Sequence, residues 1–199
     1  MFFGIGVEKR MKIYFDTEFT GLHKNTTLIS IGMVSENGKT FYGEFTDYDR
    51  GQVDNWIQEN VIANMLYRSM LVGCMGDERD MRCVGDTGRI RCALSEWLSQ
   101  FDEVQLVSDV CHYDMVLFCD IYGGAFQIPS NVSPCCYDLN QAIADYLGCS
   151  LKEAFDVSRE GLKETLALGV VIEGEKHNSL YDARVIKVLY EAIQNGETK

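Results

Sequence analysis

Two carboxylates stand two residues apart in an apolar stretch: Asp16 and Glu18 of "MKIYFDTEFTGL", Met11 to Leu22. Residues two apart on an extended strand share a face, so these anions would sit side by side where they repel. Two more carboxylates lie on helical stripes that are otherwise apolar. In "NSLYDARVIKVLYEAI", Ile186, Leu189, Tyr190 and Ile193 fall within about 80° of one another at about 100° per residue. Asp182 lies at the margin of that stripe, one turn earlier. Asp114 likewise precedes Phe118, Ile121 and Tyr122 by one turn. Singly, each aspartate has an ordinary explanation, because acidic residues favour the first helical turn and Ser179-x-x-Asp182 has the form of a capping box. Jointly, four carboxylates would meet at one end of a sheet, where burying even one uncompensated ion is costly. Mg²⁺ or Mn²⁺ requires such an oxygen-rich cluster, and the cation's charge reverses the repulsion.

His177, in "EKHNSLYDAR", precedes Asp182 by five positions. Inside one helix the two would point about 140° apart. With Asn178 or Ser179 as N-cap, His177 belongs to the entering loop and can swing over the same site. An imidazole there is suited to take a proton from water near neutral pH; the alternative is a surface histidine ahead of a helix cap.

The elements that must position these groups are legible in outline. Residues 12–17 read as a strand and 27–34, "TLISIGMV", as a second, apolar enough to lie centrally. Asn37-Gly38 is a favoured two-residue hairpin turn, which makes 39–46 a third strand, antiparallel to the second. Val53, Trp56, Ile57, Val61 and Met65 fit one helical stripe; Ile90, Leu94, Trp97, Leu98 and Phe101 fit another. "VQLVS", 104–108, is a short buried strand followed by a helix to about 122; further helices are expected near 140–147 and over 179–194. The segment 67–88 fits no pattern and reads as a long loop. The expectation is α/β: an antiparallel meander of three strands, then parallel strands, in one mixed sheet with helices on both faces.

The chain has 199 residues, enough for one domain with a sizeable core. Residues 1–11 read as a leader outside a single domain over 12–199, and Met11 could be the natural start. No apolar run approaches the roughly 20 residues that cross a bilayer. Eight cysteines (Cys74, Cys83, Cys92, Cys111, Cys119, Cys135, Cys136, Cys149) include no Cys-x-x-Cys pair; reduced thiols in a cytoplasm are expected. The formal net charge of −12 argues against a protein that coats nucleic acid, though not against one that reaches it locally through metal ions.

These residues resemble a known set. "DTEFTGL", the aromatic-Asp pair Tyr113-Asp114 and "HNSLYDA" are similar to the three motifs of the DEDDh-type 3′→5′ exonucleases, a branch of the ribonuclease-H-like superfamily. Order and spacing match from about residue 12 to 194. "YFDTEF", "LISIGMVSENGKTFYGEF" and "NWIQENVI" look most like the mycobacterial-type exoribonucleases of this branch. The resemblance implies a ribonuclease-H-like fold and two divalent ions, Mg²⁺ or Mn²⁺. Asp16 would bridge both, Glu18 and Asp182 would complete the first ion's shell, Asp114 would hold the second partly through water, and His177 would be the general base. It implies release of nucleoside 5′-monophosphates from an RNA or DNA 3′ end, RNA slightly preferred, with Phe19, Thr20, Gly21 and Leu22 lining the terminal-nucleotide pocket. Phe19 and Leu22 could stack on the last base. Relatives of this kind are often dimers, so a homodimer is compatible. One departure stands out: "SDVCHYD" leaves Asp109 as a competitor for the third carboxylate, and Asp114 is preferred because Asp109 directly follows the strand and could cap the next helix. Arg79, Arg82, Arg89 and Arg91 either contact flanking phosphates or pair with Asp77, Glu78, Asp80 and Asp86. The rival readings are a DNA-directed exonuclease, an endonuclease on the same fold, and a non-catalytic interaction module.

Overall fold

The computed structural model describes residues 10–67, 72–166 and 169–196. Three strands, β1 (Met11–Phe19), β2 (Leu28–Ser35) and β3 (Thr40–Phe45), form the expected antiparallel meander. The connection between β2 and β3 is three residues long, Glu36-Asn37-Gly38, rather than the two-residue turn expected: Ser35 N–H donates to the Lys39 carbonyl at 2.8 Å, and Gly38, at φ 85°, donates its N–H to the Ser35 carbonyl at 2.9 Å. A short 3₁₀ turn then leads to α1 (Asn55–Asn60), which Asp54 caps by accepting from Ile57 N–H at 2.8 Å. The single helix expected over 53–65 is therefore broken into this piece between two 3₁₀ turns.

Of the segment 67–88 expected to be a loop, residues 72–88 contain two strands instead, and 68–71 lie outside the described residues. β4 (Gly73–Gly76) and β5 (Asp80–Gly85) form a hairpin, and β5 runs parallel to β3. Short strands with Gly, Met and Arg, lying at a sheet edge, carry no clean alternation. Cys74 and Cys83 face each other across this hairpin in a disulfide, which corrects the expectation of uniformly reduced thiols. α2 (Thr87–Leu98), β6 (Val104–Ser108), α3 (Cys111–Ile121), β7 (Tyr137–Asp138) and α4 (Leu139–Leu147) follow. α5 (Leu151–Asp156) and α6 (Arg159–Leu166), which periodicity does not reveal, precede α7 (Ser179–Gly196). The seven-stranded sheet has the order β4-β5-β3-β2-β1-β6-β7, with β6 parallel to β1 and β7 parallel to β6. Met11, placed in the leader by sequence, opens β1 and pairs with Val104; residues 1–9 of that leader lie outside the described residues. No helix among the described residues is long and apolar enough to cross a membrane.

Two adjacent residues of β1 show how the sheet is covered. Phe15 points to one face and meets Phe118 of α3 edge-on at 6.1 Å, in a core that α2 completes with Ile90, Leu94 and Trp97. Tyr14 points to the other and meets Tyr190 of α7 at 5.6 Å, beside α4. Helices therefore pack on both faces. Gly32 explains how closely α7 approaches. A Cβ built there would lie 2.2 Å from Leu180 N, so the start of α7 rests directly on the β2 backbone. The Ser30 and Ser179 hydroxyls, 2.9 Å apart, fix the same contact. Because Gly32 is the β2 partner of Asp16, this places the first turn of α7 over the acidic stretch of β1.

Candidate metal centre

Asp16 and Glu18 share the β1 face that α7 covers. Asp182, in the first turn of α7, closes over them, and Asp114 reaches the end of β1 from α3. Ligand atoms of Glu18, His177 and Asp182 lie within 4.8 Å of one another, as do those of Asp16, Asp109 and Asp114. Asp16, Glu18, Asp114, His177 and Asp182 line one cleft of about 720 Å³, together with Phe19, Thr20, Gly21 and Leu22. Asp109 also lines it, so both competing aspartates face the cleft. Its expected role as a helix cap is not what the structure contains: Val110 is the N-cap of α3.

Local structure explains each placement. Asp114 is 1% exposed; its Oδ1 accepts from Thr17 N–H at 3.2 Å and the Thr17 hydroxyl at 2.5 Å, and its Oδ2 accepts from the Ser108 hydroxyl. β1 and β6 thus hold it between them. Asn178 is the cap of α7, its Oδ1 accepting from Leu180 and Tyr181 N–H, and Asp182 is free of any capping-box duty. Asp182 instead accepts the backbone N–H of His177 at 2.8 Å. His177 adopts φ 63°, the sparsely populated left-handed region for a non-glycine residue, and this turn keeps the imidazole beside Glu18 and Asp182.

Burial dominates the electrostatics. Desolvation first, then repulsion from Asp114, Glu18 and Asp182, pushes Asp16 well above the carboxylate range. Glu18 is pushed up to about 8 by burial and then by Asp182 and Asp114. Burial pushes Asp114 and Asp182 up to about 7 each, against the lowering effect of their hydrogen bonds from Ser108 and His177 respectively. His177 moves the other way: burial, then the Lys176 charge, lowers its pKa, so the imidazole is neutral at pH 7. Among the described residues no ion pair neutralises Asp16, Glu18, Asp114 or Asp182, whereas Asp109 is paired with Arg159. Two groups of hard oxygen donors, one including an imidazole, fit divalent cations.

Several contributors escaped the sequence reading. Trp56, placed there on a helical stripe, is 53% exposed and sets its ring edge-on to His177, centroids 5.0 Å apart. Phe19 is stacked on Tyr113 at 5.5 Å, nearly parallel, which leaves Leu22, 71% exposed, as the open apolar group of that loop. Thr20 is turned inward to Thr27 and Gln52. A lone glycine in an apolar strand signals close backbone approach, and that rule would have found Gly32. None of Arg79, Arg82, Arg89 and Arg91 lines the cleft; Arg82 is committed to Asp80 and Tyr67 on the β4–β5 side.

Known proteins with this arrangement can now be named. No family model matches the chain. A protein of Mycobacterium tuberculosis named 3′-5′ exoribonuclease, found in two strains, is 29% identical over 147 residues, which is 70% of this chain and 77% of the relative. Among solved structures, the nuclease domain of 3′hExo, a DEDDh family member bound to rAMP, superposes with a TM-score of 0.61 at 15% identity, covering 96% of this chain and 94% of that one. The chain has the DEDDh exonuclease fold. A 3′-exonuclease described in 3′-end specific recognition of histone mRNA stem-loop matches with a TM-score of 0.60 at 14% identity, over 94% of this chain but 64% of that one. The resemblance to DEDDh-type 3′→5′ exonucleases thus holds in sequence and in fold.

Proposed function

We propose that this protein is a metal-dependent 3′→5′ exonuclease that removes nucleoside 5′-monophosphates, with RNA 3′ ends preferred over DNA. The observation that carries the reading is the meeting of Asp16, Glu18, Asp114, Asp182 and His177, from distant parts of the chain, around one cleft. The RNA preference is supported by the exoribonuclease name of the mycobacterial relative and by the rAMP-bound and stem-loop-recognising neighbours.

Mg²⁺ or Mn²⁺, as two ions, would be held by Asp16, Glu18, Asp114 and Asp182. When bound they would neutralise the carboxylates, acidify a water and stabilise the leaving 3′ oxygen. The remaining work belongs to side chains. His177, neutral at pH 7, accepts the proton of the attacking water. Asp182 holds the backbone of that histidine, and Trp56 limits the ring's rotation from its other side. Leu22 and Trp56 offer apolar surface to the terminal nucleotide, and Phe19, backed by Tyr113, supports the loop that carries Leu22.

Incubation with 3′- and 5′-labelled RNA and DNA in Mn²⁺ tests the reading. Mononucleotides should appear at once from the 3′ label, faster for RNA, and Asp16→Asn should abolish them. Cleavage of a circular RNA, or full activity in Asp16→Asn, would sink it.

A further inference from the structure

Asp109 and Asp114 both face Asp16, but their carboxylates are engaged differently. Both oxygens of Asp114 accept hydrogen bonds from Thr17 and Ser108. Asp109 has one oxygen engaged, Oδ2, which accepts from Arg159 Nε at 2.9 Å. Its other oxygen accepts no hydrogen bond from a described residue, while the carboxylate remains within 4.8 Å of ligand oxygens of Asp16 and Asp114.

Arg159 is in turn held by four protein acceptors. Nη2 donates to Asn140 Oδ1 at 2.6 Å, and Nη1 donates to the carbonyls of Ala154 and Val157 at 3.1 Å each. Asn140 donates back to the Asp109 carbonyl at 2.7 Å and to Asp138 Oδ1 at 2.9 Å. The Arg159 and Asp109 side chains are each only 16% exposed. A guanidinium bound on Nε and both Nη groups has little left to offer a substrate phosphate. Its effect is on Asp109, whose rotamer it fixes.

We propose that Asp109 is a fifth metal-facing carboxylate, a direct ligand of the second ion beside Asp16 and Asp114, and that Arg159 and Asn140 are the positioning residues that aim its open oxygen. The proposal rests on the metal-dependent reading above. Physically, Arg159 offsets the charge that a fifth anion adds to a buried cluster, so the extra ligand does not deepen the repulsion before the ion arrives. A partner that orients a ligand in this way contributes to metal affinity without touching the metal. Asp114, whose two oxygens already accept three hydrogen bonds from Thr17 and Ser108, is suited to the indirect part of that shell, and Asp109 supplies the direct oxygen.

Calorimetric addition of Mn²⁺ to the nucleic-acid-free protein tests this, alongside unfolding in EDTA. Wild type should show two binding events. In Asp109→Asn, whose amide oxygen can still accept from Arg159, the weaker event should lose at least about tenfold in affinity while the tighter one is unchanged. Arg159→Lys should weaken the same event by a smaller factor. Unchanged Mn²⁺ constants in both variants, with only a loss of stability in EDTA, would overturn the proposal and leave Asp109 as an ion-pair partner of α6. Unchanged constants in Arg159→Lys alone would overturn the positioning role. A wild type that binds no Mn²⁺ at all would overturn the exonuclease reading itself, and is seen before any variant is compared.

Discussion

Asp114→Asn should make the metal-free protein more stable, and more so as the pH rises. The carboxyl is 1% exposed and burial lifts its pKa from 3.8 to about 7. The fold therefore favours its protonated form, so its contribution to stability is intact below pH 4 and is lost as the pH climbs towards 7. At about 1.4 kcal/mol for each pH unit, ionising it in the native state costs about 4 kcal/mol by pH 8, and under about 2 kcal/mol at pH 5. Asparagine removes that cost but exchanges hydrogen bonds to a charged acceptor for neutral ones, a loss of about 1 kcal/mol; the Ser108 hydroxyl can turn to accept from the new amide. The net gain is about 3 kcal/mol at pH 8 and below about 1 kcal/mol at pH 5. For a chain of this length 3 kcal/mol corresponds to a Tm increase of about 6–12 °C. Thermal unfolding in EDTA at the two pH values reads it directly. Mn²⁺ should then raise the Tm of wild type at pH 8 well beyond that of the variant. A variant less stable than wild type at pH 8 in EDTA, or a wild-type Tm that does not fall between pH 5 and 8, would refute the claim that an uncompensated acidic cluster strains the metal-free fold.

Four other outcomes are expected. Gly32→Ala puts a methyl within 2.2 Å of Leu180 N, so urea unfolding should show a loss of about 1–3 kcal/mol and initial rates a fall of tenfold or more as Asp182 and His177 are displaced; Ser30→Ala is the milder control on the same contact. His177→Ala should lower kcat by about 10²–10⁴ with little change in KM; a rate within threefold of wild type would remove it as the base. Trp56→Ala should raise KM for short RNA by roughly 5- to 100-fold, the worth of one stacked base, and Trp56→Phe should recover most of it, whereas a purely structural role would leave KM unmoved in the folded variant. Between 50 and 200 mM salt, KM should change by less than about tenfold, against the roughly 10³–10⁵ lost by proteins that make 6–10 phosphate contacts.

The parts legible in sequence are those where one residue's neighbours along the chain decide its place. The 104–108 strand, the Asn37-Gly38 hairpin and the stripes of α3 and α7 follow from periodicity and turn chemistry, and each delivered its carboxylate or its strand to the right face. The parts that were not legible depend on partners far away. β4 is the edge strand and β5 its inner neighbour, both short and without clean alternation, and they exist because β3 offers β5 a parallel partner. Trp56 fits a helical stripe by spacing, but α1 is too short to bury it and leaves it against His177. Asp109 looks like a helix cap by position, and its contact with Arg159, fifty residues later in the chain, is one that no local pattern reveals.

The same contacts bear on how an acidic chain handles a polyanion. The cleft is lined by Asp16, Glu18, Asp109, Asp114 and Asp182, and its arginine and lysine are both committed, Arg159 to Asp109 and Lys176 to within 3.7 Å of Glu160. Nucleic acid therefore meets net repulsion there until the carboxylates are neutralised. Protonation could neutralise them below pH 7, but it would occupy the oxygens that metal needs. Under the proposed function, divalent ions would neutralise them at the pH where His177 would be free to take a proton, so metal loading and a competent base would coincide. On this reasoning metal binding would precede substrate binding, and the apolar groups Leu22 and Trp56, rather than cations, would hold the 3′ end.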